Sequence, residues 1–317
     1  MNSKQKTATS GFLFSCSDRI RSERVILTPM IFILFVYFFL LGLIVGSFLN
    51  VVILRHNTGK TLGGRSACMS CKTQLTWKEL IPVFSFLFQK GRCKTCKTKL
   101  NWQYPLVEFA TGVLFATNFL FWIKNATSAY ELLVGIGLTT CLISTLIIMY
   151  IYDVRHKIIP DQFSFTAWGI SLLYVLLSSR IYSGISLFNY KTPHQVRGDI
   201  LFVIHHILAG ISFYVVVWLI WKLSKGRMIG LGDAKLLLSI GTILGFVYGL
   251  SSIFVAVWIA MIYVIHLLLK HNLSSKNKHI TMKTEIPFGP FLILGFLIVY
   301  FTHIDVTSIS LLFENFS

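Results

Sequence analysis

Acidic residues are scarce in this sequence: twelve aspartates and glutamates among 317 residues, against 29 lysines and arginines. Charged residues of both signs make up only 13%, about half the share usual in soluble globular domains, while 55% of the chain is hydrophobic. An ordinary soluble fold is thereby excluded. No internal repeat and no low-complexity segment stands out. Nothing at the N-terminus reads as a cleavable signal peptide, because the first apolar run is long and has no small-residue cleavage site. No Ser-Lys or Ser-His arrangement presents itself as a nucleophile.

What the chain has instead is apolar length. Eight runs, at about 30–53, 105–123, 131–152, 162–178, 200–221, 233–248, 251–269 and 288–303, read as helices able to cross a hydrocarbon core of ~30 Å. The sixth and seventh have almost no connector, which predicts a tight helical hairpin. The expected fold is an all-α polytopic membrane protein with about eight transmembrane helices and one small soluble insert. Its expected divisions are a polar, poorly ordered N-terminal tail (1–29), a first transmembrane helix (30–54), the insert (55–104) and a membrane core (105–317).

The net charge of +17 could point to nucleic acid, but its distribution points to topology. If 55–104 is cytoplasmic, alternation places 153–161, 222–235 and 270–287 on the same side. The insert alone carries ten basic residues, and that side carries twenty, including Lys60, Lys276, Lys278 and Lys283. The opposite loops carry Lys124, Arg180, Lys191 and Arg197. This is the positive-inside pattern. Lys4, Lys6, Arg19, Arg21 and Arg24 in the tail run against it and are outvoted by the insert. The expected partner of the surface is therefore membrane lipid, with no nucleic acid. The loop around 178–199 offers no recognisable chemistry.

Four of the six cysteines form one pattern, Cys68-Met-Ser-Cys71 and Cys93-Lys-Thr-Cys96, with 21 residues between the pairs. Two such knuckles can close four thiolates around one zinc, as in zinc ribbons. An insert of this size needs a staple, and a reducing cytoplasmic face disfavours disulfides. Four ligands leave no open position, so the metal is expected to be structural. Cys141 reads as a packed core thiol and Cys16 as an idle one in the tail.

The few acids are placed suggestively. Asp153 ends the third run, Asp161 follows Pro160, and Asp233 opens the sixth run in "GLGDAK", all on the expected cytoplasmic side. Asp161 suits capping or positioning. Asp153 and Asp233 admit two readings, a carboxylate pair activating water on a peptide carbonyl or acidic relay residues of an ion-coupled transporter. Gly230 and Gly232 would let an extended substrate backbone approach Asp233.

Together the motifs resemble those of the type IV prepilin peptidases, bifunctional leader peptidases and N-methyltransferases of the G-x-G-D aspartyl protease class. The resemblance runs from about Gly46 to Leu292. It rests on "GSFLNVVILR" (46–55), the double C-x-x-C, "LTWKELIPVFSFL" (75–87), "YPLVEFATG" (104–112), Asp153 through "IPD" (159–161), "GLGDAK" (230–235) and "IPFGPFL" (286–292). It implies catalysis by Asp153 and Asp233, with Gly230, Gly232 and Asp161 in support. It also implies structural zinc on Cys68, Cys71, Cys93 and Cys96. Type IV prepilins and type II secretion pseudopilins would be the substrates, cut at the cytoplasmic face of the bacterial inner membrane. S-adenosylmethionine would be the methyl donor, its chemistry associated with the insert and neighbouring helices. The sequence departs from the family at Met69, at "RHNTG" (55–59) and at Arg155, where many relatives carry a second acid. A peptidase-only member and a transporter or scaffold with a zinc-ribbon module are the alternatives.

Other polar residues carry lesser expectations. Glu108 either serves the methyl-donor region or pairs with a basic residue of the insert, the pairing being preferred. Asn50 is expected to make an interhelical hydrogen bond, and His205 and His206 to be interfacial. Lys235 either meets a substrate carboxylate or snorkels to the surface. Because Asp233 is expected at a helix N-terminus and Asp153 at a helix C-terminus, Asp153 is expected to hold the shared proton more often.

Overall fold

Apolar runs of this length satisfy their backbone groups in a lipid only as helices or closed barrels, and the computed structural model of the protein is helical throughout its apolar runs. It describes residues 3–59, 61, 63–182, 193–273 and 287–306, with the backbone alone at 3–28, 179–182, 193–199 and 271–273. Lys60, most of the 178–199 loop, Lys276, Lys278, Lys283 and the start of "IPFGPFL" at Ile286 lie outside the described residues. So do the side chains of Cys16 and the tail cations.

The helices are α1 (Ser3–Arg55), α2 (Phe84–Phe88), α3 (Gln103–Asn125), α4 (Ala129–His156), α5 (Asp161–Tyr182), α6 (Pro193–Leu223), α7 (Leu231–Leu273) and α8 (Gly289–Thr302). A 3-10 turn, Trp77–Leu80, precedes α2 within the insert. Among the described residues, five helices are long and apolar enough to cross a membrane: α1, α3, α4, α6 and α7. α1 continues back to Ser3 with Pro29 inside it.

The eight apolar runs fall on seven helices, because α7 holds two of them. Its helical dihedrals break at Gly245 (φ 73°, ψ −171°), a conformation open to glycine and strained for other residues. A straight helix would carry Asp233 and Tyr263 about 45 Å apart. Yet Asp233 feels the charge of Asp153, whose carboxylate lies against Gly289. Tyr263 meanwhile stacks near Phe291 with ring centroids 5.5 Å apart. Both halves of α7 thus flank the N-terminal end of α8. Ser251, just past Gly245, accepts from the Val306 N–H beyond the other end of α8. The chain therefore reverses at Gly245, which is the expected hairpin.

α8 fills the centre of this arrangement. It is apolar on all sides, as befits a helix enclosed by protein, and Leu292, Phe296 and Val299 are buried in the largest core cluster. A seam of small residues joins α1 to α3. A Cβ on Gly42 would lie 2.7 Å from the Gly112 Cα, and one on Gly46 would lie 2.7 Å from the Glu108 Cα. Such close backbone approach is how membrane helices gain contact where no hydrophobic drive exists between them. The ends of α1 and α4 and the start of α5 meet on one face: His56 packs on Tyr152 and Phe163, and Asn57 reaches the Tyr152 hydroxyl at 3.4 Å.

Candidate active site

Asp153 lies in the last turn of α4 and Asp233 in the first turn of α7. They are 5% and 8% exposed, two of the few buried charges among the described residues. Their helices bring the two carboxylates within electrostatic range of each other. Asp233 faces the N-terminus of its own helix, as expected, and accepts from the Gly230 backbone. Asp153 has a partner that its own helix does not supply. It accepts a hydrogen bond from the Gly289 N–H at the start of α8, and a Cβ on Gly289 would lie 2.6 Å from Asp153 Oδ2. Each acid thus faces a helix N-terminus, where the dipole favours an anion. The expected asymmetry, with Asp153 the usual proton holder, loses its basis.

The two glycines of "GLGD" differ. A Cβ on Gly230 would meet only the Asp233 carboxylate at 3.5 Å and the Gly232 nitrogen at 4.0 Å, leaving space beside the acid. A Cβ on Gly232 would lie 2.9 Å from the Ile159 Cβ. Gly232 therefore serves the packing of α7 on the α4–α5 connection, and the open space beside Asp233 is at Gly230. Asp161 stands apart from the buried pair. It is the first residue of α5, its side chain is 65% exposed, and its carboxylate accepts from Lys235 Nζ at 2.5 Å. That pair ties the start of α5 to the start of α7, so Lys235 is neither a free cation for substrate nor a simple surface snorkel. Arg155 is exposed.

The insert brings its four cysteines together. Their sulfurs lie within 4.8 Å of one another, and Cys68 Sγ is 3.8 Å from Cys96 Sγ. A tetrahedral zinc with Zn–S bonds of about 2.3 Å sets its sulfurs about 3.8 Å apart, so the donor set fits such an ion. All four are free thiols. The knuckles are built alike. Cys68 N–H donates to Thr73 O and Cys93 N–H to Thr98 O, at 3.0 and 2.9 Å. Lys72 and Lys97 each follow the second cysteine at positive φ, 60° and 59°. Hydrogen bonds with Thr98 hold the Cys96 thiol down to about 6, and those with Thr73 lower Cys71, favouring the thiolate that binds metal. The repeat is written in the sequence as C-x-x-C-K-T-x-L, at Cys68–Leu75 and Cys93–Leu100. The expectation of no internal repeat missed it.

Glu108 is 8% exposed, and Glu108 Oε2 accepts from the Val83 N–H at 2.7 Å. Its other partner is Ser47, so among the described residues bonds to a backbone amide and a hydroxyl stand where a pairing with a lysine or arginine of the insert was expected. Asn50 makes the expected bridge between α1 and α3, donating to Tyr104 O at 3.2 Å and accepting from Gln103 Nε2 at 3.4 Å. Cys141, expected in the core, is exposed on α4. His206 contacts the Thr242 carbonyl at 3.0 Å and His205 is exposed beside it.

Comparison with known proteins bears on both halves of the molecule. Residues 40–122 match the bacterial peptidase A24 N-terminal domain, and residues 140–265 match the type IV leader peptidase family. A prepilin leader peptidase/N-methyltransferase of Klebsiella pneumoniae is 30% identical over 218 residues, covering 66% of this chain and 84% of the relative. One from Bacillus subtilis is 28% identical over 263 residues, covering 83% and 92%. One from Myxococcus xanthus is 31% identical over 212 residues, covering 66% and 56%. No solved structure matches. The chain that folds around Asp153, Asp233 and the four-cysteine insert belongs to the type IV leader peptidase family.

Proposed function

We propose that the protein is a membrane aspartyl endopeptidase and N-methyltransferase. It removes the leader of type IV prepilins and related pseudopilins at the cytoplasmic face of the inner membrane, then methylates the new N-terminal residue. The names of the Klebsiella and Bacillus relatives support both activities. The observation that carries the peptidase reading is the burial of Asp153 and Asp233 together on two helices.

In that reading the pair holds one proton. The ionised member takes a proton from water as the water oxygen bonds to the scissile carbonyl carbon, and the protonated member gives its proton to the carbonyl oxygen. The adduct then collapses: the C–N bond breaks, the nitrogen leaves with the proton taken from water, and the second acid recovers its own. The pair titrates as a unit, and neither acid owns the proton. Gly289 fixes the Asp153 carboxylate, while Asp161 and Lys235 hold two helix starts in register.

The four cysteines suit one zinc, whose role is to close the insert and not to act on substrate. S-adenosylmethionine would supply an electrophilic methyl group on sulfur. The freed pilin amine would be the acceptor of that group. The intact knuckles favour this bifunctional reading over a peptidase-only one. Co-expression with a prepilin, read by mass spectrometry, tests it. Loss of the leader and gain of one methyl group are expected, and an unprocessed prepilin would refute the proposal.

A further inference from the structure

The polarity of the insert is inverted at α2. Ser85 and Gln89 turn inward onto a cavity of about 850 Å³ shared with α1 and α3, and Phe86 is buried beside them. Phe84, Leu87 and Phe88 are exposed, Phe88 to 84%. Residues at i, i+3 and i+4 share one face of a helix, so α2 turns a wholly apolar face away from the protein. Trp77, Leu80 and Ile81, just ahead of α2, are exposed as well. A helix at the surface of a protein in water turns its polar face outward. A contiguous apolar patch of this kind marks a surface that something covers.

Depth identifies the cover. The span Gln103–Asn125 has 23 residues, about 34 Å at 1.5 Å per residue, little more than the ~30 Å hydrocarbon core. The first turns of α3 therefore stand at the membrane boundary. Val83, immediately before α2, donates its N–H to Glu108 at 2.7 Å, and Glu108 lies about 8 Å along α3 from its start. Phe86 packs on Trp102 with ring centroids 4.8 Å apart. α2 is thus held beside the opening turns of α3, at the level where a leaflet begins and not in the water beyond it. Apolar surface continues onto α3 there, since Trp102, Leu106 and Phe109 are exposed at i, i+4 and i+7, along one helix face. Lys78 and Lys90 flank the segment in sequence, and Lys78 Nζ stands 5.5 Å from the Trp77 ring centroid. Tryptophan and lysine both favour headgroup depth. Glu79, the one acid between residues 55 and 104, is turned back on Thr76, whose N–H and hydroxyl each donate to it at 2.8 Å.

We propose that α2 and the turn before it lie in the lipid leaflet beside the start of α3. Phe84, Leu87 and Phe88 enter the acyl chains, and Trp77, Lys78 and Lys90 sit among the headgroups. The insert is then a monotopic module seated on the bilayer, and not a soluble lobe hanging from two helices. Lipid holds Val83, the amide donor to Glu108, against α3 from outside. This seat depends on the membrane helices and not on the proposed reactions.

Full-length protein in nanodiscs of phosphatidylcholine and phosphatidylglycerol tests the seat. A benzophenone amino acid at position 88, irradiated, should form adducts with lipid, read by mass on the peptide that carries it. Crosslinks to a second copy of the chain in place of lipid adducts, or no adduct at all, would overturn the proposal. Leu87→Gln with Phe88→Gln gives an independent reading. On a patch that faces water both changes are neutral, because polar side chains replace exposed apolar ones. On a lipid-seated patch they should speed tryptic cleavage after Lys90 at least tenfold, with helicity and elution unchanged. Leu87→Met with Phe88→Leu, which stays apolar, should keep the wild-type rate. Equal cleavage in the glutamine variant and wild type would refute the seat. So would equal acceleration in the apolar variant, since that would show a shape-specific protein contact and not lipid.

Discussion

Replacing Gly289 by alanine tests whether α8 sets the position of Asp153. The added Cβ would stand 2.6 Å from Asp153 Oδ2, closer than real Cβ atoms come to a neighbour, and a tight 3.0 Å from Ile159 Cδ1. Either the carboxylate swings away or the first turn of α8 lifts, and both break the bond from the Gly289 N–H. Overpacking of this kind costs about 1–3 kcal/mol of stability. A misplacement on the order of 1 Å at a catalytic group costs about 100-fold in rate. Leader removal from a purified prepilin should therefore fall about 100-fold in kcat with little change in KM. Gly295→Ala is the control. Its Cβ would stand 2.4 Å from Ser252 O in the second half of α7, two turns along α8 from the acids. It should lose comparable or greater thermal stability with kcat retained. Full kcat in Gly289→Ala, or an equal loss in Gly295→Ala, would show that α8 acts by bulk packing and not through Asp153.

Asp153→Asn and Asp233→Asn should each abolish leader cleavage measured by mass spectrometry, because a carboxamide cannot exchange the proton; both should still methylate a pre-cleaved pilin. Asp161→Asn should keep measurable cleavage and lose no more than about 1 kcal/mol in thermal unfolding, since its carboxylate is largely exposed in the ion pair with Lys235. Metal analysis of purified protein should find about one zinc per chain, and a chelator should loosen residues 63–100 to proteolysis while the helical signal of the bundle persists. Cysteine labelling at Lys90 and at Thr127 should report opposite sides of the membrane, and a common side would contradict the charge-based orientation.

What the sequence made legible was whatever depends on spacing along one segment. Apolar length located the helices, two C-x-x-C pairs located the sulfur cluster, and "GLGD" placed an acid in the first turn of a helix. The missing connector between the sixth and seventh runs even foretold the reversal at Gly245. What it hid depends on which segments meet. Nothing near Asp153 announces that its hydrogen-bond donor comes from Gly289, 136 residues later, so a dipole argument drawn from α4 alone weighed only one of the two helix ends that Asp153 meets. Gly230 and Gly232 look alike in sequence, and only the position of Ile159 shows that one leaves space and the other allows packing. Glu108 was weighed against the abundant lysines and arginines of the insert, the obvious partners by charge. The backbone amide it took instead belongs to Val83, and a valine at positive φ is a conformation that no propensity scale would nominate. Local chemistry was therefore readable ahead of its geometry, and the departures gather where helix ends from distant parts of the chain converge on a buried acid.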